Sequence, residues 1–142
     1  MRNSTLSLIC LLLPSEAFAE VTAKDAWVRA TVPAQKTTAA YVTIHSTEAA
    51  RVVEVKTAAA GRAEIHKSEM AGGVMKMEMM EELALPAGKS VELRPGGTHL
   101  MLMELPKPLT AGGKVPLTFV IEDRKGKRSN LEVNAEVRPL GR

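Results

Sequence analysis

Short segments of strand-like sequence, each ended by a cluster of turn residues, recur along most of this chain and limit the folds that it can adopt. Arg51–Thr57 (RVVEVKT) and Ser90–Arg94 (SVELR) alternate polar and apolar residues, which is the pattern of a half-buried β-strand. Leu85-Pro86-Ala87-Gly88 and Pro95-Gly96-Gly97 are typical turns. About nine such segments follow one another, and none keeps the apolar period of an amphipathic helix, so the sequence predicts an all-β sandwich or barrel.

The pattern also predicts three individual elements. The first predicted strand covers Ala26–Thr31 (AWVRAT). Glu81–Leu85 is interpreted as a single helical turn. Val115–Asp123 and Asn130–Val137 predict a final hairpin across Arg124-Lys125-Gly126-Lys127.

Residues 1–19 have the features of a secretory signal peptide. Arg2 supplies a positive charge, Leu6–Leu13 is a short apolar run, and Ala17-Phe18-Ala19 is an A-x-A cleavage pattern. The apolar run is far shorter than the ~20 residues that a membrane span needs. We therefore predict cleavage before Glu20 and a single exported domain over residues 20–142, with an uncleaved N-terminal anchor as the alternative.

Cleavage at this position removes Cys10, the only cysteine of the chain. The mature domain then has no thiolate, which excludes cysteine nucleophiles, thiolate zinc sites and blue-copper sites. The formal charge of +3 comes from scattered Lys and Arg residues and is typical of a solvated surface. The mature aromatic residues are only Trp27, Tyr41 and Phe119, so a base-stacking nucleic-acid surface is not favoured.

Methionine and histidine are concentrated in one part of the chain. Seven of the eight methionines and two of the three histidines lie between His66 and Met103. Within this stretch, Ala71-Gly72-Gly73 separates the segments Arg62–Ser68 and Val74–Met80 and predicts a β-hairpin.

Two registers of this hairpin are open from the sequence. A turn at Ala71-Gly72 places His66 directly opposite Met77. A turn at Gly72-Gly73 places His66 opposite Met79, with Met77 on the diagonal. Because side chains alternate faces with a period of two, His66 and Met77 share a face in both registers.

The segment His99–Glu104 (HLMLME) predicts a further strand. His99 and Met101 are two residues apart and project to one face, whereas Leu100 and Leu102 project to the other. The leucines are natural core residues, which leaves the opposite face free for another role.

The candidate metal ligands are His66, Met77, His99 and Met101. Thioether sulfur is a soft neutral donor and imidazole is a borderline one, and together they suit Cu(I) better than Zn(II), Mg(II) or Ca(II). Neutral ligands leave the charge of the ion uncancelled, so such a site should pass its ion on by stepwise ligand exchange.

Some of the remaining methionines, and His45, are predicted to have structural roles. Methionine is a flexible core filler, and Met80 and Met103 are assigned to the core. His45 is interpreted as structural. The sequence leaves open which of three further residues assist the site: Met70, Met75 and Met79.

The spacing of the four candidate ligands, H-x10-M-x21-H-x-M, resembles the signature of the PCu(A)C-type periplasmic copper chaperones. The surrounding sequence is similar as well, with GVMKM at Gly73–Met77, LPAGKSVELRPGGTHLMLM at Leu85–Met103 and PLTAGGKVPLTFVIED at Pro108–Asp123. The early residues Ala26–Ile44 are also similar, so the resemblance covers nearly all of residues 20–142.

This resemblance implies a cupredoxin-like Greek-key β-sandwich or barrel that binds Cu(I) through His66, Met77, His99 and Met101. It implies a periplasmic carrier, not an enzyme, that supplies a copper site of cytochrome c oxidase. The acceptor or co-chaperone is then oxidase subunit II, with its CuA site, or a Sco-type protein. Some members bind a Cu(II) ion through a His- and Met-rich C-terminal extension, but Asn130–Arg142 contains neither residue type, so no such site is expected here.

Two other functions remain open from the sequence. A periplasmic copper-buffering or resistance protein would bind the same ion without a dedicated acceptor. A β-sandwich interaction module would use its methionines only in the core and bind no metal, so Cu(I) would not raise its stability.

Overall fold

The computed structural model describes residues 18–140 of the protein, and every regular element within them is a β-strand. The strands are β1 Val21–Arg29, β2 Thr38–Ser46, β3 Ala50–Lys56, β4 Arg62–Ala71, β5 Val74–Met80, β6 Leu83–Leu85, β7 Lys89–Leu93, β8 His99–Met103, β9 Lys114–Asp123 and β10 Arg128–Arg138. The prediction of an all-β fold is confirmed. Most of the predicted signal peptide lies outside the described residues, so the signal peptide and its cleavage stay predictions.

Residues 18–140 contain no helix that is long and apolar enough to cross a bilayer.

The described residues form ten strands, one more than the sequence predicts, and the extra strand is β6. Glu81–Leu85 is not a helical turn: Leu83 and Leu85 are both buried and flank the exposed Ala84. The segment pairs with β3, with Leu85 opposite Ala50. Burial of two leucines against a neighbouring strand therefore decides the conformation of this short segment.

All ten strands belong to one continuous sheet, in the order β5-β4-β8-β2-β1-β10-β9-β3-β6, with β7 alongside β2. The first part of β2 (Thr38–Ala40) pairs with β8, and the second part (Val42–Ser46) pairs with β7. The first and last strands, β1 and β10, lie side by side and run parallel, with Trp27 opposite Glu136. The neighbours of β4 are β5 and β8, which places the methionine-rich hairpin next to the strand that holds His99.

One face of this sheet supplies the hydrophobic core. Its largest fully buried side chains come from strands along the whole path and include Ile44, Leu85, Leu93, Leu100, Leu102, Leu117, Phe119 and Ile121. Since all of them join a single cluster, the sheet curls so that both of its halves face each other. The opposite face of each strand then looks outward, and this outer face carries the site described below.

The alternation pattern misses the first five residues of β1, residues 21–25, because the strand contains a bulge. Ala23 pairs with Ile44 and Val28 pairs with Ala40, so one extra residue lies on β1 between the two pairs. Asp25 sits in this irregular stretch with a φ of 55°, a conformation that aspartate tolerates better than most residues. The bulge keeps both pairs on the core side, but it breaks the period of two that a sequence pattern relies on.

Candidate metal centre

The turn between β4 and β5 fixes the position of the methionines. Gly72 and Gly73 both have positive φ, 57° and 79°, as the two central residues of a type I′ turn require. A turn centred on Ala71-Gly72 would have forced a residue with a Cβ into this region. The register with Gly72-Gly73 at the turn is therefore the one adopted, with His66 opposite Met79 and Ser68 opposite Met77.

His66 occupies the middle of the outer face, because β4 lies between β5 and β8. It is directly opposite Met79 on one side and directly opposite His99 on the other. The two imidazole rings have their centroids 6.1 Å apart. A metal ion bound to one nitrogen of each ring at about 2 Å would leave the centroids roughly this far apart, so this spacing would allow the two rings to share one ion.

His99 is the most enclosed of the candidate ligands, with 6% of its surface exposed. Its Nδ1–H donates a hydrogen bond of 2.9 Å to the carbonyl oxygen of Gly97. This bond holds the ring in place and leaves Nε2 as the nitrogen with a free lone pair, an arrangement typical of histidine ligands in metal sites.

His66 is held by a carboxylate. Its Nε2–H donates to Oε2 of Glu64 at 2.8 Å, which leaves Nδ1 for a metal ion. Glu64 in turn accepts from Nε of Arg62 at 3.1 Å, and the other end of the Arg62 guanidinium lies 3.5 Å from the Met103 sulfur. These contacts hold the imidazole of His66 in place from the side opposite the Gly72-Gly73 turn.

Three of the four predicted ligands line one shallow depression of about 280 Å³ on the outer face: Met77, His99 and Met101. Met75 and Ser68 also line it. His66 does not line this depression and lies beside it, next to His99. Met77 belongs to β5 and Met101 to β8, so residues distant in sequence meet at the same opening.

The methionines divide into two groups. Four are largely exposed, and they are Met70, Met75, Met77 and Met79. Met80 packs against the core, as the sequence predicts. The assignment of Met103 to the core is wrong: it pairs with Arg62 two residues beyond Met101, so it shares the outer face and is only half-buried.

Several residues of the site were missed by sequence reasoning. Arg29 and Tyr41 line the depression. The Tyr41 ring stacks on Trp27 with centroids 4.5 Å apart, and the Arg29 guanidinium lies 5.5 Å from the centre of the Tyr41 ring. Alternation gave a signal, because Ala40 and Val42 are core residues and Tyr41 between them must face outward.

The donors at this opening have a clear chemical character. Residues 18–140 contain no group of three or more His, Cys, Asp and Glu side chains placed to hold a metal ion. What the outer face offers is two imidazoles, each with one nitrogen fixed by a protein acceptor, beside thioethers from two strands. Soft and borderline neutral donors of this kind fit Cu(I).

The fold matches solved copper-protein domains. The chain superposes on the apo PCuAC domain from PmoF1 with a TM-score of 0.67 and 24% identity, covering 84% of this chain and 93% of that domain. The copper-bound PCuAC domain from PmoF2 gives a TM-score of 0.68 at 21% identity, covering 84% and 92%. The CuI-DR1885 structure from Deinococcus radiodurans gives 0.59 at 33% identity, covering 80% and 74%. The class of the domain is therefore a cupredoxin-like β fold, as expected from the sequence.

The chain belongs to the family described as "Putative lipoprotein LpqE-like", whose model matches residues 21–137. This is the PCuAC-type family, so the resemblance noted in the sequence is confirmed. The putative lipoprotein Lxx21020 of Leifsonia xyli subsp. xyli is 35% identical over 106 residues, which are 72% of this chain and 63% of that protein. The chain thus spans less than two thirds of that relative. The uncharacterized protein RP573 of Rickettsia prowazekii is 30% identical over 128 residues, covering 86% and 70%.

Proposed function

We propose that this protein is an exported, periplasmic Cu(I) carrier that binds one cuprous ion through His66, Met77, His99 and Met101. The observation that carries the proposal is the pairing of two imidazoles on adjacent strands, each anchored through one nitrogen, beside thioethers on the same outer face. A carrier must release its cargo, and an open site of neutral ligands suits that task better than a closed thiolate cage.

The four ligands differ in how firmly the protein holds them. His99 is buried and anchored to the backbone, and Met101 is half-buried beside it. Met77 is 61% exposed on the hairpin and is not among the described residues that pack against the core. We infer that Met77 is the first ligand to leave when an acceptor approaches, because its side chain can move without disturbing the core.

Two observations on relatives support copper as the cargo and export as the setting. The solved PmoF2 domain is copper-bound, and DR1885 was solved with Cu(I). The family and the Leifsonia relative are described as putative lipoproteins, which is a name given to exported proteins. Delivery to a cytochrome c oxidase copper site, through subunit II or a Sco-type protein, follows from the family resemblance and is the finer part of this proposal.

A titration against a Cu(I) chelator tests the binding site. The double variant Met77→Leu/Met101→Leu keeps the apolar volume and removes both sulfurs, so we expect the native fold with greatly weakened Cu(I) binding. Met80→Leu makes the same chemical change at a position packed against the core, outside the proposed ligand set, and should bind as the wild type does. Wild-type affinity in the double variant would overturn the ligand assignment.

Delivery needs a separate experiment. The Cu(I)-loaded protein is mixed with the apo copper domain of an oxidase subunit II, or with an apo Sco-type protein, and the metal content of each is measured after separation. Transfer within minutes supports the carrier role. Retention of the ion with both acceptors would instead favour a copper-buffering protein.

A further inference from the structure

Two methionines at the tip of the β4–β5 hairpin have no explained role. Met70 and Met75 are 65% and 52% exposed, and neither belongs to the four proposed ligands. Methionine usually lies in protein cores, where its flexible side chain fills gaps. Neither side chain is among the described residues that pack against the core, so core packing does not explain them.

The register places these two side chains together. Met70 is directly opposite Met75, one pair away from the type I′ turn at Gly72-Gly73. Directly opposed residues in an antiparallel pair have Cβ atoms about 4.5–5.5 Å apart on the same face. The flexible thioether arms can therefore close on one soft ion between them.

The same face connects the tip with the proposed centre. Met75 and Met77 are two residues apart on β5, and both line the depression that also contains His99 and Met101. A run of thioethers thus leads from the exposed tip to the enclosed imidazole.

We propose that Met70 and Met75 form a second, weaker Cu(I) site, through which the ion enters and leaves the four-ligand centre. This inference rests on the proposed function. At each step one thioether bond to copper forms as another breaks, so the ion stays Cu(I) and no proton or electron moves. Two neutral sulfur ligands bind soft ions selectively but weakly, as an entry point requires.

The proposal is tested first by NMR on protein labelled at the methionine methyl groups and titrated with Cu(I) under anaerobic conditions. We expect the first equivalent to shift the methyl signals of Met77 and Met101, and a second equivalent to shift those of Met70 and Met75. If Met77 and Met101 respond while Met70 and Met75 never do, the second site is overturned and the carrier function stands. If Met77 and Met101 do not respond, the carrier site itself fails.

The kinetic test uses Met70→Leu, which removes one sulfur of the proposed second site, keeps the apolar surface of the tip and lies outside the depression that holds the four-ligand centre. Its affinity for the first Cu(I) should match the wild type, whereas the rate of Cu(I) exchange with a chelator should fall by roughly tenfold. Met80→Leu, at a position packed against the core, is the matched control and should exchange at the wild-type rate.

A third variant separates the metal site from a plain contact surface. If Met70→Leu exchanges normally and Met70→Ser exchanges slowly, apolar contact and not thioether ligation explains the tip, and the proposal is wrong. Slow exchange in both variants, with unchanged affinity for the first ion, supports it.

Discussion

The two long hairpins of this domain use their apolar residues in opposite ways. In β9, Val115, Leu117, Phe119 and Ile121 are buried, and the strand forms the middle of the core. In β5, residues 74–79 are exposed on both faces, and only Met80 reaches the core. Both hairpins have regular antiparallel ladders, with β10 pairing along nine positions of β9.

This difference shows which interactions stabilise each hairpin. The β9–β10 hairpin is stabilised by burial. The β4–β5 hairpin is held by its ladder and its glycine turn, and its outward positions are free to carry methionines. Substitutions in the exposed hairpin should therefore change metal binding with little effect on the free energy of unfolding, whereas those in the buried hairpin should do the reverse.

The largest expected effect separates the hairpins directly. Phe119→Ala removes a fully buried ring and should lower the free energy of unfolding by about 3–5 kcal/mol. Met77→Ala, at an exposed position of β5, should change it by less than ~0.5 kcal/mol. Urea denaturation of both variants measures the two values, and a loss of similar size in each would refute the contrast.

A second prediction concerns metal affinity within the exposed hairpin. Glu64→Ala removes the acceptor that orients His66, and loss of such a partner lowers metal affinity by about 10–100-fold. Glu64→Gln keeps an oxygen acceptor and should restore part of the affinity. Glu78→Ala on the exposed strand β5 is the control. Chelator competition gives the affinities, and unchanged binding by Glu64→Ala would show that His66 needs no carboxylate.

A smaller effect is expected at the turn. Gly73 has a φ of 79°, and a side chain in this left-handed region costs about 1–2 kcal/mol. Gly73→Ala should therefore weaken the hairpin, visible as faster amide hydrogen exchange in β4 and β5 than in β9. Gly97→Ala is the matched control, because its φ lies outside that region and its added Cβ meets Arg94 only at ordinary contact distance. Equal exchange in both variants would mean that the turn does not hold the hairpin.

The smallest expected effect is on the pH dependence of stability, through Glu122 on strand β9. Hydrogen bonds from Arg51 at 2.5 Å and Arg128 at 3.0 Å lower the pKa of the Glu122 carboxyl below its ordinary value. A lowered pKa in the folded state means that the ion pairs stabilise the protein above the ordinary pKa, and that this stabilisation is lost as pH falls through the folded value. The thermal unfolding temperature of Glu122→Gln should therefore decrease less steeply as the pH is lowered than that of the wild type. Parallel profiles for the two proteins would exclude this role.

Much of the fold and part of the site follow from the sequence, because alternation assigns faces without knowledge of the partner strand. It put Leu100 and Leu102 inside and His99 and Met101 together on the other face, as the structure has them. The same rule, applied two residues further, places Met103 outside, so the core assignment for that residue neglected alternation.

The features that the sequence does not predict depend on the geometry of a turn or on contacts between distant segments. The register of the β4–β5 hairpin needed the backbone angles of Gly72 and Gly73. The bulge in β1 and the short strand β6 depend on which strand lies alongside them. Glu64 and Arg29 join the site only because β4 pairs with β8 and β2 lies between β8 and β1. The choice of metal ligands among the clustered methionines stays a prediction.

The parallel contact between β1 and β10 has a consequence for how the domain is made. It joins residues near opposite ends of the domain, such as Trp27 and Glu136. Forming this pair closes a loop that contains most of the domain, and the conformational entropy lost in closing so long a loop slows folding. Until β10 is synthesised, β1 and β9 each lack a neighbour and present open edges to other chains. A nascent or truncated polypeptide that stops before Arg128 should therefore be the species most prone to aggregate and most dependent on a holding chaperone.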